Sequence, residues 1–231
     1  MNYSMIIFIL GHLLRYEAIF MMLPTVTGFI YGENEAVAFL CVALVTFLLG
    51  TILSCKEVKT KQLYTRDGSI TVALGWIVLS LFGALPLTIS GDIPFYVDAL
   101  FETISGFTTT GASILPNVEA LSHASLMWRS FTHWVGGMGV LVFIMAVLPL
   151  AGGEHNLQLM KAESPGPSVS KLVPKLREIA IMLYKIYFAM TLVMIVLSLI
   201  GGMPLFDTLC IAFGTAGTGG FGIYGDSIGG F

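Results

Sequence analysis

Residues 94–114 read PFYVDALFETISGFTTTGASI, and residues 204–223 read PLFDTLCIAFGTAGTGGFGI. Each stretch opens with Pro, which suits the first position of a helix. Each then carries a short apolar run, 94–106 and 204–214, into a Gly/Thr-rich tract, TTTGAS at 108–113 and TAGTGGFG at 215–222. Apolar runs of about 10–14 residues are too short to cross a bilayer and read as re-entrant or interfacial helices. Sliding the chain by 109 residues places Asp98 on Asp207, Leu100 on Leu209, Gly111 on Gly220 and Ile114 on Ile223. A slide of 108 aligns Gly106 with Gly214, Thr110 with Thr218 and Gly111 with Gly219 instead. The 109 register is preferred because it also matches the aspartates of the short helices. The pattern is an internal repeat of span, short helix, Gly/Thr loop and span.

The surrounding sequence supplies the spans. Of 231 residues, 56% are hydrophobic and 11% charged, whereas a soluble domain is typically about 25% charged. Mean hydropathy is +0.88. These values exclude an ordinary soluble enzyme and a disordered chain, and a net charge of −3 offers nucleic acid no attraction. A spanning helix needs about 20 mostly apolar residues, and the segments 5–31, 35–55, 69–90, 122–151 and 178–201 qualify. The first reads as a span rather than a cleaved signal peptide, being too long and without a basic flank. Cys41, Cys55 and Cys210 have the spacing of neither a disulfide framework nor a zinc site.

Charge sets the orientation. The loops 56–68 and 152–178 hold Lys56, Lys59, Lys61, Arg66, Lys161, Lys171, Lys175 and Arg177. The alternate segments 32–35, 91–121 and 202–231 hold no Lys or Arg, but carry Glu33, Glu35, Asp92, Asp98, Glu102, Glu119, Asp207 and Asp226. By the positive-inside rule the N-terminus is cytoplasmic and both Gly/Thr loops open to the outer face.

Irregular backbone at membrane depth is tolerated only inside protein or along a watery path, because its polar groups have no helical partners. A loop of inward-turned carbonyls can replace the water around a dehydrated alkali cation. Thr hydroxyls add oxygen ligands, Gly permits the necessary backbone angles, and a short helix aims its negative C-terminal end at the ion. Small residues also serve plain helix packing. Two such loops on one face, each behind a Pro-started short helix, favour the cation reading.

Beyond these loops, SGFTTTGAS (105–113), WRSFTHWVGGMGVLVFIMAVLP (128–149), KAESPGP (161–167) and TGGFG (218–222) resemble the Trk/Ktr/HKT superfamily of potassium transporters. The similarity is closest to the membrane subunit of bacterial Trk systems. It implies an all-α polytopic membrane protein built from span–pore helix–filter loop–span repeats, with two extra N-terminal transmembrane helices. The corresponding divisions are 1–55 for the extra pair and 69–151 for a first pore repeat, with re-entrant helix 94–106 and filter 108–113. Residues 178–231 form a second, incomplete repeat, with re-entrant helix 204–214, filter 217–222 and no closing helix. The resemblance further implies that potassium is held by backbone oxygens of Thr109, Thr110, Thr218 and Gly219, in loops that also include Gly111, Ala112, Gly220 and Phe221. The implied function is potassium uptake across the bacterial plasma membrane, with potassium as the transported ion and no covalent cofactor. The implied partners are a second copy in a homodimer, a cytoplasmic ring of nucleotide-binding regulatory subunits and membrane lipid. Family members close one pore from four repeats, so this chain is expected to be a fragment, a component that assembles in several copies, or a non-conducting assembly subunit.

Other residues carry narrower expectations. Arg129 near the start of the 122–151 segment is expected to pair with Glu102 or Glu119 and brace the first short helix. Gly136, Gly137 and Gly139 would allow close packing behind the filter. Arg15 and Glu17 lie two apart, do not face each other, and are expected to have separate buried partners. A cation- or proton-coupled symporter for another solute would show broken helices lined by polar or charged groups. An intramembrane hydrolase would need a nucleophile and a base. Ser113 and His133 are the one pair to name, and Gly-x-Ser-x-Gly and His-Glu-x-x-His are both missing, so the chain reads as a non-enzyme.

Overall fold

The computed structural model describes residues 2–55, 65–139 and 173–226, with Gly229. Regular structure among these residues is entirely helical. The helices are α1 (Tyr3–Phe20), α2 (Met22–Tyr31), α3 (Glu35–Ser54), α4 (Thr65–Ile89), α5 (Tyr96–Phe107), α6 (His123–Gly137), α7 (Val173–Ile200) and α8 (Leu205–Ala216), with a single 3-10 turn at Val118–Ala120. Four stretches among the described residues are long and apolar enough to cross a bilayer: Tyr3–Tyr31, Glu35–Ser54, Ile70–Ile89 and Ile181–Ile200. The chain is an all-α, multi-span membrane protein.

Helix breaks follow local chemistry. The first apolar segment is two helices, because Pro24 has no N–H to give the Phe20 carbonyl and its ring crowds that turn. Met21 stays in the right-handed region (φ −63°, ψ −16°), and the Thr25 hydroxyl donates to its carbonyl at 2.7 Å. Helix α2 ends at Gly32 with φ +71°, which a side chain would disfavour. Glu33, just past this cap, reaches α6 and accepts the N–H groups of His123 and Ala124 at 2.8 and 3.1 Å. Free N–H groups at a helix start make a carboxylate a natural cap.

Helices α1 and α3 cross at two glycines. A Cβ on Gly11 would lie 2.8 Å from the Gly50 carbonyl oxygen, and one on Gly50 would lie 2.7 Å from that of Gly11. Small residues at such a crossing let the backbones touch. Arg15 sits over the Phe47 ring, 5.5 Å from its centroid. Glu17 differs from the sequence expectation. It is buried against α4 and α5 at Gly83, yet neither carboxyl oxygen has a hydrogen-bond partner among the described residues. The space beside it is lined mostly by apolar side chains, Leu13, Phe20, Leu79, Phe107 and Val135, with Tyr16.

The short helices start slightly later than their prolines suggest. Helix α5 begins after Phe95 (ψ 117°), and Pro204 is itself the extended residue before α8 (ψ 147°). Helix α6 starts at the Ser122 cap, whose hydroxyl accepts the Ser125 N–H at 3.2 Å. It runs to Gly137 and turns at Met138–Gly139, where Gly139 has φ +67°, so the segment 122–151 is not one unbroken helix. Residues 140–151, the loop 56–64 and the KAESPGP stretch lie outside the described residues.

The core forms where α1, α3, α4, α5 and α6 meet. Trp128 of α6 is its centre, donating its indole N–H to the Gly83 carbonyl at 2.9 Å. The rings of Phe39 and Phe107 pack edge-on against it at 6.4 and 6.2 Å. A buried indole thus has both apolar contact and a satisfied donor. Helix α7 contrasts with this core: only 6% of its Ile181–Ile200 stretch is buried. It touches α6 through Tyr187, which donates to the Trp134 carbonyl at 3.0 Å, and Thr191, which accepts from the Trp134 indole at 3.1 Å.

Candidate functional site: two strained loops around one helix

The two Gly/Thr loops share one backbone conformation at an offset of 109. Helices Tyr96–Phe107 and Leu205–Ala216 are related by that offset at both ends. So are their terminal hydrogen bonds. Thr109 and Thr110 donate to Gly106 and Ser105 at 3.0 and 2.9 Å, while Thr218 and Gly219 donate to Thr215 and Gly214 at 2.9 and 3.1 Å. Thr109 and Thr218 both have positive φ, +55° and +59°, and Gly111 and Gly220 follow at +74° and +76°. A β-branched residue at positive φ is strained, and such strain persists only where the surroundings enforce it. The same strain recurs at the same step of two unlike sequences. The 108 offset pairs neither the positive-φ threonines nor the positive-φ glycines.

The loops meet each other. A Cβ on Gly111 would run into the Gly219 carbonyl, with the carbonyl carbon at 3.0 Å. Gly111 is therefore required twice, by its φ and by this approach. Thr108, Thr110, Ala112, Thr218 and Gly220 are exposed, and the Thr108 and Thr110 hydroxyls bond each other at 2.7 Å.

Helix α6 holds the two loops together. Arg129, His133, Gly136 and Gly137 fall at i, i+4, i+7 and i+8, one helical face. Gly136 lies against the first loop, where a Cβ would meet the Phe107 carbonyl and Thr109 Cγ2. Gly137 lies against the second, with Gly217 Cα 2.7 Å from where its Cβ would be. Both glycines lack side chains because a backbone occupies that space.

Arg129 and Glu102 form a buried ion pair with Nε to Oε2 at 3.1 Å, their side chains 3% and 0% exposed. Of the two candidate carboxylates, Glu102 is the partner. Its other oxygen accepts the Ser113 hydroxyl at 2.5 Å and the Ile114 N–H at 2.7 Å. The pair is thus satisfied by further hydrogen bonds, the condition under which a buried pair is tolerated. Arg129 also donates to Ser113 Oγ at 3.3 Å and to the Gly222 carbonyl at 3.5 Å, and its guanidinium lies 4.1 Å from the Phe221 ring centroid. One cation therefore touches both loops. Glu119 goes elsewhere and accepts the Gly225 N–H at 3.1 Å, just past the second loop.

The sequence alone gives His133 no role in the loops. Its ring, fully buried, stacks on Phe221 at 4.0 Å and 22°, and Nδ1 accepts the Phe221 N–H at 3.4 Å. The signal was its four-residue spacing from Arg129 and Gly137. Ser113 and His133, the pair considered for hydrolysis, serve different partners, Glu102 and Phe221.

The arrangement has counterparts among known proteins. A family model described as TrkH, cation transport protein, matches residues 36–231. The chain is 37% identical over 224 residues to the Trk system potassium uptake protein TrkG of Escherichia coli, covering 96% of this chain and 46% of that protein. It is 37% identical over 234 residues to the TrkH protein of Halomonas elongata, covering 100% of this chain and 48% of that protein. The crystal structure of the potassium transporter TrkH from Vibrio parahaemolyticus superposes with a TM-score of 0.80 at 31% identity, over 100% of this chain and 46% of that one. The chain spans about half the length of these relatives.

Proposed function

This chain belongs to the TrkH family of cation transport proteins, and on that premise we propose that it forms part of the membrane subunit of a potassium uptake system. The observation that carries the reading is the recurrence of one strained loop conformation, Thr109 to Gly111 and Thr218 to Gly220, behind two short helices. In this reading Thr109, Thr110, Thr218 and Gly219 present backbone oxygens to dehydrated potassium, which replaces its water with them. Gly111, Ala112, Gly220 and Phe221 complete the loops. The C-terminal ends of α5 and α8 add partial negative charge beside the ion. Arg129, Glu102, Gly136 and Gly137 hold the loops in register, so that ligand spacing does not relax around the smaller sodium ion. The divisions follow: 1–55 as a flanking pair, 69–151 as one pore repeat and 178–231 as part of a second.

The same reading sets the protein in the bacterial inner membrane with its N-terminus cytoplasmic. It works as a homodimer on a nucleotide-binding regulatory subunit, with Lys171, Lys175 and Arg177 on the side of that contact. Charge reversal at these three positions should weaken co-purification with the regulatory subunit. Unchanged binding would leave the basic loop to anionic lipid.

The decisive test is Gly111→Ser in the full-length protein, assayed by rubidium and sodium uptake in cells lacking their own potassium systems. Sodium entry should rise and potassium preference fall, with normal membrane insertion. Full selectivity with normal flux would reduce the loop to a packing turn.

A further inference from the structure

The second loop is short of anchors from its own unit. At the offset of 109, Glu102 corresponds to Ile211 and Ser113 to Gly222, so α8 has no carboxylate at the position that anchors the first loop; its Asp207 accepts the Tyr224 hydroxyl at 3.2 Å, just past the second loop. What stands against the loop is His133, from the helix of the preceding unit.

The contacts are specific. The His133 imidazole fills the space a Cβ on Gly219 would need, and its backbone carbonyl fills the corresponding space at Gly217. Gly219, unlike Gly111 and Gly220, is not among the positive-φ glycines. Its lack of a side chain is explained by the ring pressed against it. Phe221 is sandwiched between His133 at 4.0 Å and the Arg129 guanidinium at 4.1 Å, which fixes its side chain. The Phe221 N–H donating to Nδ1 fixes its backbone. Because Nδ1 accepts, the neutral ring carries its proton on Nε2, which has no hydrogen-bond partner among the described residues.

We infer that His133 is a positioning residue for the second loop: its Nδ1 and ring face hold the 219–221 backbone in the orientation that aims the loop's carbonyls. Sodium discrimination at that loop then depends on an imidazole contributed by the neighbouring unit. This inference rests on the reading of the loops as a potassium filter. The peptide that donates its N–H to His133 carries the Gly220 carbonyl and adjoins the peptide of Gly219, whose oxygen is one of the four proposed ligands and against which the ring itself packs. A hydrogen bond at one end of a peptide plane sets the direction of the other.

The test separates an acceptor from a filler. His133→Phe keeps ring volume and stacking but leaves the Phe221 N–H without an acceptor. His133→Asn loses the ring but keeps an acceptor near the Nδ1 position. In the full-length protein, the rubidium-to-sodium uptake ratio should fall on the order of tenfold in His133→Phe and less in His133→Asn. Thermal stability should rank the two in the opposite order. A purely structural histidine would give the phenylalanine variant the better score in both measurements, and that result overturns the inference. Gly111→Ser is run in parallel. If it leaves the ratio unchanged, the filter reading falls and the inference with it. If it lowers the ratio while His133→Phe does not, only the inference falls. Should His133→Phe fail to reach the membrane, His133→Leu carries the test: it removes the acceptor while keeping an apolar filler, and its ratio should fall below that of His133→Asn. A ratio equal to or above that of His133→Asn overturns the inference.

Discussion

The two Gly/Thr loops reach one backbone shape by different means of support. The first is tied from within its own unit, by Glu102 of the short helix that precedes it, to Ser113 and Ile114. The second has Ile211 and Gly222 at the matching positions; its own short helix reaches only Tyr224 beyond the loop, through Asp207, and the loop itself is held by Arg129 and His133 of α6. The backbone hydrogen bonds and positive-φ residues are shared, whereas the side-chain anchors are not. The same shape thus follows Thr-Thr-Gly in one loop and Thr-Gly-Gly in the other, each after a short helix, with different neighbours enforcing it. Loop rigidity depends on which neighbour is close enough to hold it. Helix α6 serves both loops, so a change on its inner face should be felt twice.

The glycines give the largest effects and the sharpest contrast. Gly111→Ser should be the most damaging of the three, because it meets both a φ of +74° and the Gly219 carbonyl. The 109 register by itself makes Gly219→Ser milder than Gly220→Ser. The packing reverses that order: His133 occupies the Gly219 side-chain position, while nothing lies within 4 Å of one at Gly220. Rubidium and sodium uptake should rank the variants Gly111, Gly219, Gly220 from most to least impaired. A Gly220 variant worse than the Gly219 variant would mean that backbone angle outweighs packing in the second loop.

Glu102→Gln comes next. It leaves the buried Arg129 charge uncompensated, a loss of about 3–5 kcal/mol for a broken buried pair, seen as a large fall in the midpoint of thermal unfolding in detergent. The matched change in the second unit, Ile211→Val, should cost only about 0.5–1.5 kcal/mol. Similar losses in both would erase the contrast between internal and external anchoring.

Arg129→Lys is expected to be intermediate in stability but to disturb both loops. It keeps a charge for Glu102 and loses the planar fork that reaches Ser113, Gly222 and the Phe221 ring. Its signature is a lower rubidium-to-sodium ratio with a smaller stability loss than Glu102→Gln. The smallest effect belongs to Glu119→Gln, at an exposed position with one hydrogen bond to Gly225. Stability should stay within about 0.5 kcal/mol, and a larger loss would make this rim contact a third anchor of the second loop.

Much of this architecture is legible in the chain. Apolar runs long enough to span a bilayer are visible as such, since lipid demands length and apolarity and leaves little else to decide. The internal repeat is visible because Asp98 and Asp207, and Gly111 and Gly220, recur at one spacing. Arg129 with a carboxylate partner could be anticipated, because an intramembrane cation needs one. Which carboxylate, Glu102 or Glu119, could not be read, since both lie within reach along the sequence and only the fold brings one of them against α6.

The sequence by itself determined the class of protein, the two short helices that give way to Gly/Thr loops, and the glycine and threonine chemistry of those loops. These are local matters: hydrophobic length, proline's missing N–H, and the backbone freedom of glycine. Only the tertiary structure decided that α6 lies between the loops, that Glu17 is buried without a hydrogen-bond partner among the described residues, and that Gly219 is small on account of His133 rather than its own φ. Those facts depend on contacts between residues distant in the chain, as far apart as the 93 positions between Arg129 and Gly222. Contact at that range is set by how helices pack, which no local pattern encodes.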